Sequence, residues 1–332
     1  MRPLRLIPDD TRFRFMRWRR YAFLFTLLLT LASLGALWFQ GLNLGVDYAG
    51  GLLIEARARG SFDMTELRSR FGGLGLGEVT LQAIGGEAGG RGQDLLVRLQ
   101  QPPGGPEAQQ HALTAVTAAL QPGFEIRRTE AIGPQVSAEL LRDAVFASVL
   151  AVVLIGIYVW LRFEWQFGLS AVVTTFHDVI ATFGLFAIFQ LEFNLTILAA
   201  LLTIAGYSIN DTVVLFDRVR ENLRSYKSLP MEQLIDRSVN QTLRRTLLTS
   251  GTTLLAVLAL LIFGGPVLRN FSLALVWGLV VGTYSSIFVA SSLLLHLPSL
   301  RRSGADPDAA AIEGKVHSEH HPGQGSELRD LS

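Results

Sequence analysis

The chain has 332 residues, of which 49% are hydrophobic and 17% charged, against about a quarter charged in a soluble domain. Mean hydropathy is +0.36, so much of the apolar surface must face something other than water, which excludes a disordered chain and an ordinary water-soluble enzyme. Charge is balanced, with 29 Lys and Arg against 28 Asp and Glu, and cysteine is absent; this excludes a basic nucleic-acid binder, disulfides, thiol catalysis and Cys-ligated metals.

A helix that crosses a hydrocarbon core of about 30 Å needs roughly 20 apolar residues. Six windows meet that length: residues 21–39, 144–161, 169–189, 193–216, 247–268 and 271–297. The first is longer than the roughly 7–15 apolar residues of a cleaved signal and is expected to be a retained helix. Orientation follows the Lys and Arg of short segments. Arg2, Arg5, Arg12, Arg14, Arg17, Arg19 and Arg20 precede the first span. Arg218, Arg220, Arg224, Lys227, Arg237, Arg244 and Arg245 lie between the fourth and fifth. Arg301, Arg302, Lys315 and Arg329 follow the sixth, whereas the opposite side offers Arg269 in one short turn. Both termini and a loop over 217–246 are therefore expected in the cytoplasm, and residues 41–140 outside.

That outer segment reads as βαββαβ. Strands are predicted at 52–59, 78–84, 94–100 and 124–131, with Gly85-Gly86 and Gly89-Gly90 joining the middle pair. Asp63 is a helix N-cap with Glu66 three residues on, the pattern of a capping box. Pro106 opens a second helix, which Pro122-Gly123 stops. The order predicts a ferredoxin-like sandwich. The fold class is thus a polytopic α-helical membrane protein of six transmembrane helices, with one extracytoplasmic α+β ferredoxin-like domain between helices 1 and 2. The domain plan is a basic terminus over 1–20, helix 1 over 21–40, the outer domain over 41–140, helices 2–6 over 141–297 and a disordered tail over 298–332. His111 falls at a solvated helix position with no nucleophile–base set around it. Gly45-Val46-Asp47-Tyr48-Ala49-Gly50-Gly51 permits a tight turn or a close backbone approach; the phosphate-loop alternative lacks GxxxxGK[ST]. In the tail, His317, His320 and His321 lack a scaffold for metal.

Charged groups inside a bilayer are costly and point to function. The fourth span carries Ser208, Asn210, Asp211 and Thr212, with Ser208, Asp211 and Thr212 on one helical face. A desolvated carboxyl there can exchange a proton, or can bond statically to a neighbouring helix. Arg245, which opens the fifth span beside Thr246, Thr249 and Ser250, is the expected partner of Asp211; Arg244 competes for that role, and both can instead snorkel to the surface. His177-Asp178 in the third span either joins the relay or forms a buried, satisfied pair. Zinc lacks further ligands at suitable spacing. Asp217–Leu223 is expected to extend the fourth helix into the cytoplasm.

Taken together, these segments resemble the SecD/SecF family of protein-export membrane proteins, within the RND superfamily, over roughly residues 10–300. The motif that carries the resemblance is Gly206-Tyr207-Ser208-Ile209-Asn210-Asp211-Thr212-Val213-Val214-Leu215-Phe216-Asp217-Arg218-Val219-Arg220-Glu221-Asn222. Residues 45–51, Ile132-Gly133-Pro134-Gln135-Val136, His177-Asp178-Val179 and Asn240-Gln241-Thr242-Leu243-Arg244-Arg245-Thr246 support it. Ser137 stands where the family often has Gly, and Arg244 where a small residue is commoner. The resemblance implies a SecF-type, non-enzymatic subunit of the Sec machinery in the bacterial inner membrane, with 41–140 periplasmic. It implies SecD as the pseudo-symmetric other half, the translocon channel and its motor as further partners, and an unfolded polypeptide as cargo. Asp211 would carry the proton and Arg245 would partner it. No cofactor or metal is implied beyond the proton motive force, and H⁺ is favoured over Na⁺ by resemblance alone. A passive scaffold and an RND-type small-molecule exporter remain as alternatives. An intramembrane hydrolase lacks a nucleophile set.

Overall fold

The computed structural model describes residues 11–76, 79–84, 94–100, 105–121 and 123–297. The Gly85–Gly90 turn, Pro122, Arg2, Arg5 and the whole predicted tail with its three histidines lie outside the described residues. Among the described residues, six helices are long and apolar enough to cross a membrane. They are built from α1 (Arg19–Phe39), α5 (Pro134–Arg162), α6 (Trp165–Ile188), α7 (Leu195–Ser225), α8 (Met231–Phe263) and α9 (Gly265–Ser285). A π-helical turn, Ser286–Ala290, and the short α10 (Ser291–His296) prolong the last of these.

Small side chains decide which helices lie inside. The buried face of α6 carries Gly168, Ser170, Ala171, Thr174, Ala181, Thr182 and Gly184, the residue types that let helix backbones approach in a bilayer. Gly184 shows how close: a Cβ there would sit 2.7 Å from the Ser33 Cα of α1. By contrast α1, α5 and α8 present Leu24, Leu28, Leu31, Val149, Val153, Leu255 and Ile262 on exposed faces, which suits contact with lipid.

Two boundaries differ from the sequence reading. Helix α5 starts at Pro134, inside the segment assigned to the outer domain, because proline fits the first helical turn and Gly133 supplies an extended N-cap. Ser137, 2% exposed, donates to the Gly133 carbonyl at 2.8 Å and so tightens that joint. The expected extension of the fourth helix over Asp217–Leu223 is present, with α7 continuing to Ser225, and most of the remaining 217–246 loop is helix too, since α8 begins at Met231. One ion pair at helical spacing, Arg218–Glu221 at 2.6 Å, supports the α7 extension. The segment ahead of α1 straps onto α8. Asn240 accepts from Phe13 N at 2.9 Å and donates to Phe13 O at 2.8 Å, and Asp236 accepts from Met16 N at 2.9 Å.

Between α1 and α5 the chain forms β1 (Asn43–Leu44), α2 (Val46–Ala49), β2 (Gly51–Ala58), α3 (Met64–Gly72), β3 (Val79–Ile84), β4 (Asp94–Leu99), α4 (Gly105–Leu120) and β5 (Phe124–Ile132). The expected βαββαβ succession is present. The sheet order is β3-β4-β2-β5 with every pair antiparallel. Period-2 alternation sends Leu52, Ile54, Ala56, Leu95, Val97 and Leu99 to one face. There they bury against Leu67 and Phe71 of α3 and Ala112, Val116 and Leu120 of α4. Asp63 caps α3 by accepting from Thr65 N at 2.7 Å. Glu66 does not reach back to complete the box; it pairs with Arg70 at 3.6 Å. His111 is exposed. The opposite face of the sheet is left open above the ends of α6, α7 and α9. A separate parallel pair joins β1 to β6 (Glu192–Phe193), just ahead of α7.

Candidate functional site: two buried carboxylates

Among the described residues, two buried acids lie in the helical part, Asp178 on α6 and Asp211 on α7. Asp178 of α6 has no exposed surface. Its Oδ2 accepts from Ser208 Oγ of α7 at 2.5 Å and from Ser285 Oγ of α9 at 2.8 Å. Its Oδ1 meets His177 Nδ1 at 3.0 Å. The other ring nitrogen of His177, Nε2, is buried without a hydrogen-bond partner.

Asp211 is 4% exposed and far less satisfied. Its Oδ2 accepts from Ser250 Oγ of α8 at 3.3 Å. Ser250 in turn accepts from Thr283 of α9 at 2.9 Å and from Tyr207 of α7 at 3.4 Å. A file of hydroxyls therefore runs from α9 and α7 through α8 to a carboxylate. Thr212 pairs with Ser286 at 2.9 Å, and Ser286 also donates to the Ser208 carbonyl at 3.4 Å. Ser286 opens the π turn, a feature frequent at functional sites because it breaks the regular i→i−4 ladder.

The sequence reading places Ser208, Asp211 and Thr212 on one face, and all three are buried. They nevertheless serve different partners: Ser208 belongs to Asp178 and Thr212 to Ser286. Asn210 is exposed, on the far side of α7. Arg245 is also exposed and makes no hydrogen bond or ion pair with Asp211 among the described residues. Ser250 occupies the position expected of the arginine. Ser285, Ser286, Thr283 and Tyr207 were missed. Isolated hydroxyls in an apolar stretch carry no signal until the helix that faces them is known.

A cavity of about 620 Å³ separates the open face of the sheet from the neighbouring helix ends. Its wall includes Asp47, Glu55, Arg98, Arg128, Glu130 and Arg269, so both signs of charge face it. Among the described residues, no group of three or more His, Asp or Glu is arranged to hold a metal ion.

Residues 112–299 match the family described as protein export membrane protein SecD/SecF, C-terminal, and residues 35–61 match the SecD/SecF GG motif. Protein translocase subunit SecF of Rhodobacter capsulatus is 43% identical over 304 residues, spanning 89% of this chain and 91% of the relative. The subunit of that name from Rickettsia felis is 40% identical over 299 residues, spanning 88% and 94%. The crystal structure of SecDF, a translocon-associated membrane protein from Thermus thermophilus, superposes with a TM-score of 0.76 at 39% identity. A SecDF structure in a super-membrane-facing form gives 0.63 at 37%. The first of these covers 88% of this chain but the chain spans only 39% of it; for the second the shares are 93% and 40%. With six apolar helices, a sheet domain after the first and SecF subunits as relatives over almost their full length, the chain belongs to the SecD/SecF family of protein-export membrane proteins.

Proposed function

We propose that the chain is the SecF half of a proton-driven export machine in the bacterial inner membrane. Proton passage at Asp211 moves the domain of residues 41–140, which lies on the periplasmic side and helps an unfolded polypeptide through the translocon. The observation that carries this reading is the Asp211 carboxylate, buried in a membrane helix with one hydroxyl donor and no ion pair among the described residues. Such a group is expensive to keep, and a static brace would have been given more donors, as Asp178 is. A proton needs a single lone pair, whereas a dehydrated Na⁺ needs a shell of several oxygens; among the described residues Ser250 alone bonds to this carboxylate, and we take H⁺ as the ion. One charge crossing 100 mV releases about 2.3 kcal/mol, enough for a few steps to bias a two-state domain.

SecD would supply the other half. The solved SecDF chains are more than twice as long as the part this chain matches, and an exposed Asn210 in mid-span suits a protein neighbour better than lipid. The arginines ahead of α1, at the end of α7 and in the first turns of α8 support cytoplasmic termini. The test is Asp211→Asn in vesicles that carry the chain with SecD and the translocon. Loss of both proton flux and voltage-stimulated export, with normal insertion, is expected. A variant with unchanged flux and export would leave a passive scaffold instead.

A further inference from the structure

The proton site and the sheet domain need a mechanical connection, and the structure holds one. Helix α7 carries Asp211 sixteen positions beyond its first residue, about 24 Å along a rigid rod at about 1.5 Å per residue. The start of that rod is clamped to the sheet. Arg98 projects from the open face of β4 and forms an ion pair with Glu192 of β6 at 2.6 Å; both side chains are largely buried, at 19% and 17% exposure. The same guanidinium donates to Asn43 Oδ1 at 3.0 Å, and Asn43 is the register partner of Glu192 in the β1–β6 pair. Asp47 of α2 accepts from the backbone N–H of Leu195, the first residue of α7, at 2.9 Å. Gly45 N donates to Phe193 O at 2.8 Å.

No slack separates this clamp from the sheet. Gly50 and Gly51 have φ of +73° and +123°, and a Cβ on Gly51 would fall 2.2 Å from the Leu99 carbonyl of β4. The turn between α2 and β2 is thus pressed against the strand that carries Arg98. Gln109 of α4 fixes it from above by donating to the Gly51 and Ile132 carbonyls at 3.0 and 3.2 Å.

We propose that Arg98, Glu192 and Asp47 are the positioning residues that transmit movement of α7 to the sheet domain, and that cutting them uncouples ion passage from export. The proposal rests on the proton-driven reading above. A shift or tilt of α7 at Asp211 reaches its N-terminus undamped. Glu192 and the Leu195 N–H then pull on Arg98 and Asp47, which belong to the sheet and to its entry turn.

The experiment uses the full chain with SecD and the translocon in vesicles, with proton flux and export measured separately and Asp211→Asn run in parallel. Arg98→Glu and Glu192→Arg singly should lower export roughly fivefold or more, the lower end of usual coupling factors, with proton flux retained. The double exchange should restore export. Asp47→Asn keeps an acceptor for Leu195 N and should behave as the parent, whereas Asp47→Leu should uncouple. Singles that export normally would overturn the proposal. So would singles that lose flux and export together, or an exchange that restores neither. If Asp211→Asn is silent, the proton reading fails; if it is inactive while the Arg98 and Glu192 variants export normally, only the transmission fails.

Discussion

Ser250 of α8 donates to Asp211 of α7 at 3.3 Å, and no other hydrogen bond among the described residues reaches that buried carboxylate. The two side chains come from different helices and lie 39 positions apart in sequence. The arrangement makes Asp211 a nearly bare acid reached through hydroxyls, with Thr283 and Tyr207 behind Ser250.

Replacing Ser250 by Ala should therefore slow proton passage without unfolding the helices. One hydrogen bond to a charged group contributes about 1.5 kcal/mol, which corresponds to about tenfold in rate. Ser250→Thr keeps the hydroxyl and should retain most of the flux. Flux measured in vesicles under an imposed pH gradient decides it; equal rates for Ala and the parent would remove the hydroxyl file from the path.

Asp178 predicts the opposite kind of phenotype. Two hydroxyls donate to it, from Ser208 and Ser285, and the His177 ring nitrogen lies at 3.0 Å; these contacts tie α6, α7 and α9 together. Asp178→Ala leaves those donors buried and unmatched, at a cost of about 3 kcal/mol. A lowered thermal midpoint in detergent, with reduced accumulation in the membrane, is the expected result. A variant that is fully stable but has lost flux would move Asp178 from brace to relay.

How much of this was visible in the sequence depends on the range of the interaction. The spans, the βαββαβ order and the Asp63 cap are written in local periodicity and spacing, and each emerged where expected. The buried acid of α7 was visible because a carboxyl in an apolar run stands out. Its donor was not. Arg245 fits the role of partner by charge, yet Ser250, about one and a half turns further along α8, is the residue that faces α7. Charge suggests a partner, whereas the phase of the opposing helix selects one, and that phase is set by tertiary packing. Arg98 and Glu192 were invisible for the same reason, since each reads singly as a solvated charge. The helical extension over Asp217–Leu223 was legible, whereas residues 231–246 read as loop because they are rich in charge and lack an apolar run, although they form the first turns of α8.

Tyr48 links the residue 45–51 turn to β6, just ahead of α7, by stacking on Phe193, with ring centroids 5.9 Å apart. Its hydroxyl is buried without a partner. Burial, and then the neighbouring Asp47 carboxylate, push this phenol up to about 12 from the ordinary 10.0. The unfolded chain therefore releases that proton near pH 10 while the folded chain holds it until about pH 12. Between those values the folded state binds more protons, so stability falls as pH rises. Tyr48→Phe should abolish that alkaline loss. At neutral pH it should be neutral or stabilising by about 1 kcal/mol, because it removes an unsatisfied group. Ultraviolet titration of parent and variant checks both: the late-ionising phenol should vanish. Its persistence in the variant would assign it to another tyrosine.

The crossing of α1 over α6 offers the sharpest packing test. At Gly184 a Cβ would lie 2.0 Å from Ser33 Oγ, 2.3 Å from its Cβ and 2.7 Å from its Cα. The last of these is backbone, so rotating the serine cannot make room, and Gly184→Ala must push the helices apart. Overpacking of this kind costs about 1–3 kcal/mol. Gly35 lies on the same α1 helix, and nothing stands within 4 Å of a Cβ built there. Gly35→Ala should accordingly be tolerated, and it gains slightly from helix propensity. A double variant, Gly184→Ala with Ser33→Gly, removes the obstructing side chain but leaves the clash with the α1 backbone and should recover only part of the loss. Thermal unfolding of the three proteins in one detergent should rank them Gly35→Ala, then the double variant, then Gly184→Ala. If Gly184→Ala proves as stable as Gly35→Ala, α1 does not approach α6 this closely in the folded protein.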